Sequence, residues 1–498
     1  MNLIPEKIAD TGNYYCTWAT QARLRPADMI DDSTDVRNNM REDILFGENG
    51  ILSDYMNEVR SDLIVLLDDG WDVPYGTKNP DNTGLFGSMK LDEGRFPSFT
   101  GDPTERLSKL VGKIKSLGYR GVGLWVACQK PFSSGDPVEN VEESRKYWED
   151  AAKMCHDAGI VYWKVDWGRM ALNADYRVMM TECVRKYAPE ILIEHFPDGM
   201  YPPFGKYVHG RDGFTQNEMA YNKKIAGVSD YLRTYDVHTY FADPITLNRV
   251  ALILDSNLER KNGRGILNVE DSLYLGAGLG CSLGVMRHNR FEKGREVKKT
   301  NSYTETVRAL KWQRIAPPFA VDETYHRVSD ALLTDSHTFP PKEPDTWPFV
   351  AGKTLRIESP AAVSRGCELP VASGEKIPLL AASMNPQTCA YSIATLARTI
   401  GDDILRYFRA DVTGNAGMAR EVGIFGEYDS LTLCFDYDIT GKTIMAQDLA
   451  ADEASDITPL VKACGNRLII SGKLIDDICA VNLAPDDYSA PGLVLRLI

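Results

Sequence analysis

Charged and aromatic side chains recur where short apolar segments of this chain end. The segments are rich in Val, Ile, Leu and Tyr, a composition typical of buried strands. Because carboxylates are costly beside apolar groups unless they have a use, such ends are candidates for a functional site. The residues at these ends are Asp68-Asp69-Gly70-Trp71, Trp125, Lys164-Val165-Asp166-Trp167, Glu194-His195-Phe196 and Arg233-Thr234-Tyr235-Asp236.

Two carboxylates of this set suit the cleavage of a sugar linkage. Asp166 follows Lys164 by two positions, on the same face of a strand, and a nearby ammonium keeps a carboxylate ionised for use as a nucleophile. Asp236 is then predicted to act first as general acid and afterwards as general base. The remaining acidic, basic and aromatic groups suit a neutral polyol, because charged groups bind hydroxyls and flat rings stack on sugar faces.

The elements that must position these residues alternate between strands and helices. Amphipathic stretches such as 104–118 and 141–159 separate the apolar runs, and each ends at a glycine typical of a helix C-terminus. Eight strand–helix units predict a (β/α)8 barrel, whose active site lies at the carboxyl ends of its strands. The eight runs are NYYCTW (13–18), LIVLLDD (63–69), GVGLWVA (121–127), IVYWKVD (160–166), ILIEHF (191–196), DYLRTYD (230–236), GILNV (265–269) and LGCSLGVM (279–286).

The pattern changes after the last of these units. Six prolines lie in a polar setting between residues 317 and 348, which is typical of a linker or wrapping segment. Short strand-like runs separated by turn residues follow, without a long helical pattern. We therefore predict a catalytic barrel over 1–320, a linker over 321–348 and a C-terminal antiparallel β-sandwich over 349–498.

Composition and charge argue against several classes of function. The 498 residues include 70 acidic and 56 basic side chains, and the formal net charge of −14 disfavours nucleic acid and anionic membranes as partners. No apolar run approaches the ~20 residues that cross a bilayer. Ten cysteines and seven histidines are scattered without metal-ligand spacing, so we expect free thiols, no metal and no organic cofactor. No leader is visible, which favours a cytoplasmic location unless a secretory signal was trimmed, and self-association is left open.

In chain order, the motifs resemble the retaining α-galactosidases of glycoside hydrolase families 27 and 36. The resemblance covers most of residues 13–250. It implies a barrel followed by a β-sandwich, an oligosaccharide or glycoside as substrate, and release of terminal α-linked galactose by double displacement without a cofactor. The motifs are LLDDGW, RFPSF, a helix, YRGVGLWV and YWKVDWG.

The resemblance implies a role for each matching position. Asp166 matches the nucleophile, and Asp236 matches the acid/base. Lys164 matches the lysine that binds the 3- and 4-hydroxyls of the sugar. Asp68 and Asp69 match the aspartate pair that binds the 4- and 6-hydroxyls of galactose, which favours a sugar with a 6-hydroxyl over an arabinopyranoside.

Five further positions match residues around the family's sugar pocket. Glu194 and Arg233 match residues near the 2-hydroxyl, and Glu194 favours an unmodified hydroxyl over the acetamido group of N-acetylgalactosamine. Trp18, Trp71 and Trp125 match aromatic positions in the pocket wall. The simpler interpretation of such side chains is structural, as helix caps, ion pairs or core aromatics.

Departures from the family pattern leave alternatives open. Only two residues separate Arg233 from Asp236, where the family usually has three, so Asp243 is a second candidate for the acid/base. His195 replaces a tryptophan, and Gly168 occupies one position of a family 27 disulfide. The alternatives are a galactoside-binding protein without hydrolysis, an α-N-acetylgalactosaminidase or β-L-arabinopyranosidase, and a Schiff-base aldolase that uses the strand-end lysine.

Overall fold

Eight parallel strands form a closed barrel in which each strand pairs with its successor and the last pairs with the first. Each of the eight runs predicted as barrel strands overlaps one of them, so the predicted barrel is confirmed. The strands are β1 (Tyr14–Cys16), β2 (Ile64–Leu67), β3 (Gly121–Val126), β4 (Tyr162–Val165), β5 (Leu192–His195), β6 (Tyr231–Arg233), β7 (Ile266–Glu270) and β8 (Ser282–Val285). This computed structural model describes residues 1–24, 33–77, 83–197, 215–234, 240–288, 303–341, 352–484 and 486–498.

Helices surround the barrel and begin and end at the expected signals. The Asp102 side chain accepts the backbone N–H groups of Thr104 and Glu105, and Glu105 completes the capping box of α4. Helix α5 ends at Gly159, whose φ of 80° lies in the left-handed region. Among the described helices, none is both long and apolar enough to span a membrane. The helices up to residue 313 are α1 (Trp18–Arg23), α2 (Ser33–Asn38), α3 (Glu42–Phe46), α4 (Pro103–Ser116), α5 (Val141–Ala158), α6 (Ala174–Tyr187), α7 (Gln216–Ala226), α8 (Ala242–Asp255), α9 (Leu273–Leu279) and α10 (Tyr303–Gln313).

Burial on both faces explains why the barrel strands have continuous apolar sequences. Every residue of β2, β3, β4 and β7 is buried. Such strands lack the polar alternation of a sheet with one solvated face. The polar residues within them are therefore exceptions, and they lie mostly at the carboxyl ends.

The C-terminal part forms three sheets in a sandwich-like arrangement, which confirms the predicted sandwich but not its predicted antiparallel pairing. Each sheet is mixed, because it contains at least one parallel pair. These pairs are Leu332–Thr338 with Arg398–Ile400, Ala362–Arg365 with Leu379–Met384, Tyr391–Leu396 with Glu421–Phe425, and Asp411–Gly417 with Ser430–Phe435. Alternating hydrophobicity indicates which face of a strand is buried and not the direction of its neighbour. The strand orders are β11-β10-β16-β17, β22-β21-β25-β19-β15-β14-β12-β9 and β13-β18-β20-β24-β23. The elements are β9 (His326–Val328), β10 (Leu332–Thr338), β11 (Thr354–Pro360), β12 (Ala362–Arg365), β13 (Val371–Ser373), β14 (Leu379–Met384), β15 (Tyr391–Leu396), β16 (Arg398–Ile400), β17 (Asp403–Arg406), β18 (Asp411–Gly417), β19 (Glu421–Phe425), β20 (Ser430–Phe435), β21 (Ile444–Asp448), β22 (Ser455–Asp456), β23 (Lys462–Cys464), β24 (Arg467–Ser471), α11 (Gly472–Ala480) and β25 (Gly492–Leu497).

The sheets and the barrel are joined by close, specific contacts. The Arg308 guanidinium on α10 donates to both carboxylate oxygens of Asp448 on β21, at 2.7 and 2.8 Å. Gly278 on α9 packs so closely on β14 and β15 that a Cβ there would lie within 3.1 Å of Ala381 and Ala394. Strands β9 and β10 lie within the predicted linker, and the division into barrel, linker and sandwich stays a prediction.

Candidate functional site

The carboxyl ends of the barrel strands bring most of the predicted side chains into one buried cluster. The strand register places Trp125 beside Lys164 and Lys164 beside Glu194. Lys164, Glu194 and Arg233 are at most 1% exposed. Because all eight strands run in one direction, their carboxyl ends share one rim, which is where barrels carry their active sites.

The turn after β2 requires a glycine to present its acidic residues. Gly70 has a φ of 115°, and a Cβ at this position would lie 2.9 Å from the carbonyl oxygen of Arg37. The chain therefore turns sharply between Asp69 and Trp71. This turn leaves Asp68 and Asp69 at the strand end, each with different partners.

Asp166 has a hydrogen-bond partner for each carboxylate oxygen. Arg233 Nη2 donates to Oδ1 at 2.9 Å, and Trp125 Nε1 donates to Oδ2 at 2.9 Å. The indole of Trp71 donates to the carbonyl oxygen of Trp125 at 2.8 Å, which joins Trp71 to the same network. Fixed donors of this kind determine the direction in which the carboxylate points.

Arg233 lies between three carboxylates. Besides Asp166, its Nε is 3.2 Å from Glu194 Oε1, and its Nη1 is 3.6 Å from Glu270 Oε2. Tyr162 Oη and Asn268 Nδ2 donate to Glu194 Oε2 at 2.8 and 2.5 Å. Burial raises the pKa of Glu194, and the charge of Arg233 opposes that shift.

Lys164 is shared between two further carboxylates. Its Nζ lies 3.2 Å from Asp68 Oδ2 and 3.0 Å from Glu270 Oε1. Tyr14 Oη donates to Glu270 Oε1 at 2.6 Å, and Cys16 Sγ donates to Asp68 Oδ2 at 3.0 Å. Two adjacent carboxylates disfavour the uncharged amine that a Schiff-base mechanism needs, which argues against the aldolase alternative.

Asp69 has a different partner from Asp68. Arg37 Nε and Nη2 donate to its two oxygens at 2.9 and 2.8 Å, a bidentate pair. Burial raises the pKa of Asp69, whereas Arg37 lowers it. The guanidinium lies 4.7 Å from the ring centroid of Phe86 and 6.0 Å from that of Trp167. The aspartate pair thus binds one lysine and one arginine.

His195 belongs to a network behind Asp166. Arg177 on α6 donates to the carbonyl oxygens of Val165 and Asp166 at 2.9 and 2.7 Å, and its Nη1 is 3.1 Å from His195 Nδ1. A guanidinium only donates, so Nδ1 accepts, and the neutral ring carries its hydrogen on Nε2, 2.8 Å from Thr181 Oγ1. Burial, followed by the charge of Arg177, lowers the pKa of His195 well below its ordinary value.

The predicted tryptophans have unequal surroundings. Trp71 and Trp125 are buried, and Trp18 is half-buried at the start of α1. The ring of Trp125 lies 5.4 Å from that of Trp167 and 6.1 Å from that of Phe86, measured between centroids. The rings therefore form an aromatic group beside Asp166.

The two candidates for the acid/base are Asp236 and Asp243. Asp236 lies outside the described residues and follows, in sequence, three positions after Arg233. Asp243, in the first turn of α8, accepts the backbone N–H of Ala397 at 2.9 Å, and burial raises its pKa to about 6. Asp243 thus binds the chain between β15 and β16.

Sequence reasoning missed several residues of the cluster. Glu270 ends β7, one residue beyond the predicted run, and its position at a strand end could have identified it. Gly284 on β8 leaves room for it, because a Cβ there would lie 2.6 Å from Glu270 Cγ and 3.0 Å from the Tyr14 ring. Arg37 and Arg177 lie in helices and reach the site through packing alone, for which the sequence carries no signal.

Within the described residues, no group of three or more His, Cys, Asp and Glu side chains is placed to hold a metal ion. All ten cysteines are free thiols, and Cys128 lies beside Gly168, where a Cβ would come within 2.8 Å of the Cys128 backbone.

Comparison with known proteins gives only distant similarity. No protein-family model and no curated protein matches the chain. A Bacteroides fragilis protein that is proposed to be an alpha-galactosidase is 12% identical, with a TM-score of 0.40 over 97% of this chain and 79% of that one. A Bacillus halodurans protein that is proposed to be an alpha-N-acetylgalactosaminidase is 11% identical, with a TM-score of 0.44 over 100% and 99%. The alpha-amylase of Geobacillus thermoleovorans is 9% identical, with a TM-score of 0.43 over 99% of each chain. Similarity at this level assigns neither a family nor an activity to the chain.

Proposed function

We propose that this chain is a retaining exo-glycosidase that releases terminal α-linked galactose. The observation that carries the proposal is the position of Asp166 at the end of β4. Its carboxylate is held by Arg233 and Trp125 at the rim where Lys164 and Glu194 also lie. A carboxylate fixed in this way is oriented before the substrate arrives, as nucleophilic catalysis requires.

The reaction proceeds in two displacements. An Asp166 oxygen forms a bond to the anomeric carbon as the glycosidic bond breaks, and Asp236 gives its proton to the departing oxygen. Asp236 then takes a proton from a water molecule, whose oxygen displaces Asp166 and restores its carboxylate. Two inversions return the original configuration, and this mechanism requires the two carboxyl groups to be ~5–5.5 Å apart.

The remaining groups suit the hydroxyls of galactose. Lys164 and Asp68 are an adjacent donor and acceptor, which is the arrangement that binds neighbouring hydroxyls. Glu194 is held by Tyr162, Asn268 and Arg233, and this support favours a fixed acceptor for a 2-hydroxyl over space for an acetamido group.

Hydrolysis of four nitrophenyl glycosides tests the substrate. We expect turnover of the α-galactoside well above that of the α-N-acetylgalactosaminide, the β-L-arabinopyranoside and the α-glucoside, with α-galactose as the first product by NMR. Asp166→Asn should abolish turnover. Asp62→Asn is the matched control, because Asp62 is also buried and paired with an arginine, Arg314, but precedes β2 at the opposite end of the barrel.

The outcomes separate this function from its alternatives. Binding of galactose without turnover would favour the galactoside-binding alternative. Preference for another of the four glycosides would change the proposed substrate and leave the proposed mechanism intact. Full activity of the Asp166→Asn variant would contradict the mechanism itself.

A further inference from the structure

A cavity lies at the amino ends of the barrel strands, at the opposite end from the Asp166 cluster. Its volume is about 1290 Å³. The walls are formed by Pro5 and residues 7–10, and by residues that precede or begin β2, β3 and β7. Residues 314–315, 317–320 and 322–323 after α10, together with 387–388, complete them. Barrels carry their catalytic groups at the other end, so this cavity is separate from the proposed active site.

The lining of this cavity is basic although the protein is acidic. Three acidic side chains lie among six basic ones, an excess of three positive charges in a chain whose net charge is −14. A positive cleft in a negative molecule concentrates anions locally. The acidic residues are Asp10, Asp322 and Glu323, and the basic residues are Lys7, Arg120, Arg260, Lys261, Arg264 and Arg314.

The acidic residues are already paired within the wall. Arg264 Nη2 lies 2.7 Å from Asp10 Oδ2. Arg260 Nε lies 3.0 Å from Asp322 Oδ1, and its Nη1 lies 3.4 Å from Glu323 Oε1. Arg314 pairs with Asp62, a carboxylate outside the lining, so three of the six basic groups form no ion pair among the described residues.

Three basic groups remain uncompensated. The side chains of Lys7 and Lys261 are exposed and have no ion pair among the residues that the structure describes. The half-buried Arg120 guanidinium donates to the carbonyl oxygens of Ala9 and Thr11 and to no described carboxylate. Burial lowers the pKa of Arg120, whereas the nearby Tyr231, Asp10 and Asp62 oppose that shift without a direct ion pair.

We propose that this cleft binds a small polyvalent phosphate compound. Guanidinium and ammonium groups are the usual partners of phosphate oxygens, and two or more negative charges match the uncompensated cations. Ile8, Ile315 and Phe319 also line the cleft and can contact an organic moiety. Inorganic pyrophosphate and a sugar phosphate share this chemistry, and the experiment distinguishes them.

Calorimetric titration of the full-length chain at low ionic strength tests the site. Inorganic pyrophosphate and glucose 6-phosphate are titrated separately. The Lys7→Met/Lys261→Met double variant should bind roughly tenfold more weakly, because each exposed cation contributes modestly. Lys146→Met/Lys153→Met is the matched control, since it removes two exposed lysines from α5 and should bind as the unmodified protein does.

Each result supports or contradicts the binding of a phosphate compound in this cavity. Saturable binding of either compound that weakens only in the first double variant supports the site, and the tighter compound identifies the source of the phosphate. Arg120→Met should then weaken binding further. Absence of saturable binding, unchanged binding in the Lys7→Met/Lys261→Met variant, or equal weakening in the control would overturn the proposal. Binding is measured directly, so its failure leaves the proposed hydrolysis untouched.

Discussion

The carboxylate of Asp166 is held by two donors of different character, a guanidinium and an indole. The charged Arg233 donates a hydrogen bond to one oxygen of Asp166, and the neutral indole N–H of Trp125 donates to the other, each at 2.9 Å. The same arginine also lies beside Glu194 and Glu270, so removal of its charge would disturb three carboxylates at once. Substitution of Trp125 is therefore a more selective test of how the orientation of Asp166 supports catalysis.

Trp125→Phe removes one hydrogen bond and keeps an aromatic ring. We expect kcat to fall by about 10- to 100-fold, because a hydrogen bond to a charged group contributes ~1.5–3 kcal/mol. Steady-state kinetics on the nitrophenyl α-galactoside measures this. Trp163→Phe is the control, since Trp163 lies in the strand next to Lys164 but packs against Trp148. A normal kcat in Trp125→Phe would show that this bond does not matter.

Some residues of the site could be predicted from the sequence, and others could not. Lys164, Asp166 and Glu194 could be predicted because each lies at or next to the carboxyl end of a strand, and barrel geometry brings these ends together. Arg37 and Arg177 could not, because a helical arginine reaches a site only when packing places its helix there. The partners of each predicted carboxylate are therefore known only from the structure.

The decisive element is the carboxyl end of β4, which α6 holds in place. Arg177 binds the carbonyl oxygens of the last strand residue and of Asp166, and His195 on β5 supports the same guanidinium. The eight strands could be predicted because burial on both faces gives continuous apolar runs. The parallel pairs in the C-terminal sheets could not, because the side-chain pattern does not encode pairing direction.

Arg177→Met should lower kcat on the nitrophenyl α-galactoside with little change in KM. The substrate-binding groups Lys164 and Asp68 are untouched, whereas the strand end that carries the nucleophile loses its donors. The expected decrease in kcat is roughly tenfold or more, since misplacement of a reacting group by a fraction of an ångström is costly.

Arg185→Met in the same helix is the control for Arg177→Met. Arg185 pairs with Asp230, before β6, so this variant should lose stability without losing kcat. Equal effects of the two variants on kcat would mean that Arg177 stabilises the fold and does not position Asp166.

For the whole molecule, the contact between barrel and sheets contains a half-buried carboxyl group on α10. Glu305 on α10 accepts the backbone N–H of Ala490 at 2.8 Å and the hydroxyl of Tyr407 at 3.4 Å. Burial raises the pKa of Glu305 to about 7. A folded-state pKa above the unfolded value means that the native state binds this proton more tightly, so the stabilisation is present at low pH and lost as pH rises through about 7.

Glu305→Gln should therefore reduce the pH dependence of stability. Between pH 5 and pH 8 we expect the Tm of the unmodified protein to fall more than that of the variant, by roughly 1–3 °C. Thermal unfolding followed by circular dichroism measures the difference. Glu421→Gln, which removes a half-buried carboxylate that pairs with Arg496 between β19 and β25, is the control for loss of a carboxylate elsewhere in the sheets. The same dependence of Tm on pH in Glu305→Gln and in the unmodified protein would contradict the assignment of this pH dependence to Glu305.

The proposed double displacement requires that Asp166 forms a covalent bond with the sugar. Incubation with an activated, fluorinated α-galactoside, followed by mass spectrometry of the intact chain and of its peptides, detects this bond. We expect one fluorogalactosyl group per chain, attached to Asp166, and no attachment to the Asp166→Asn variant. Attachment to another carboxylate, or turnover of the α-galactoside with inversion and no adduct, would contradict it.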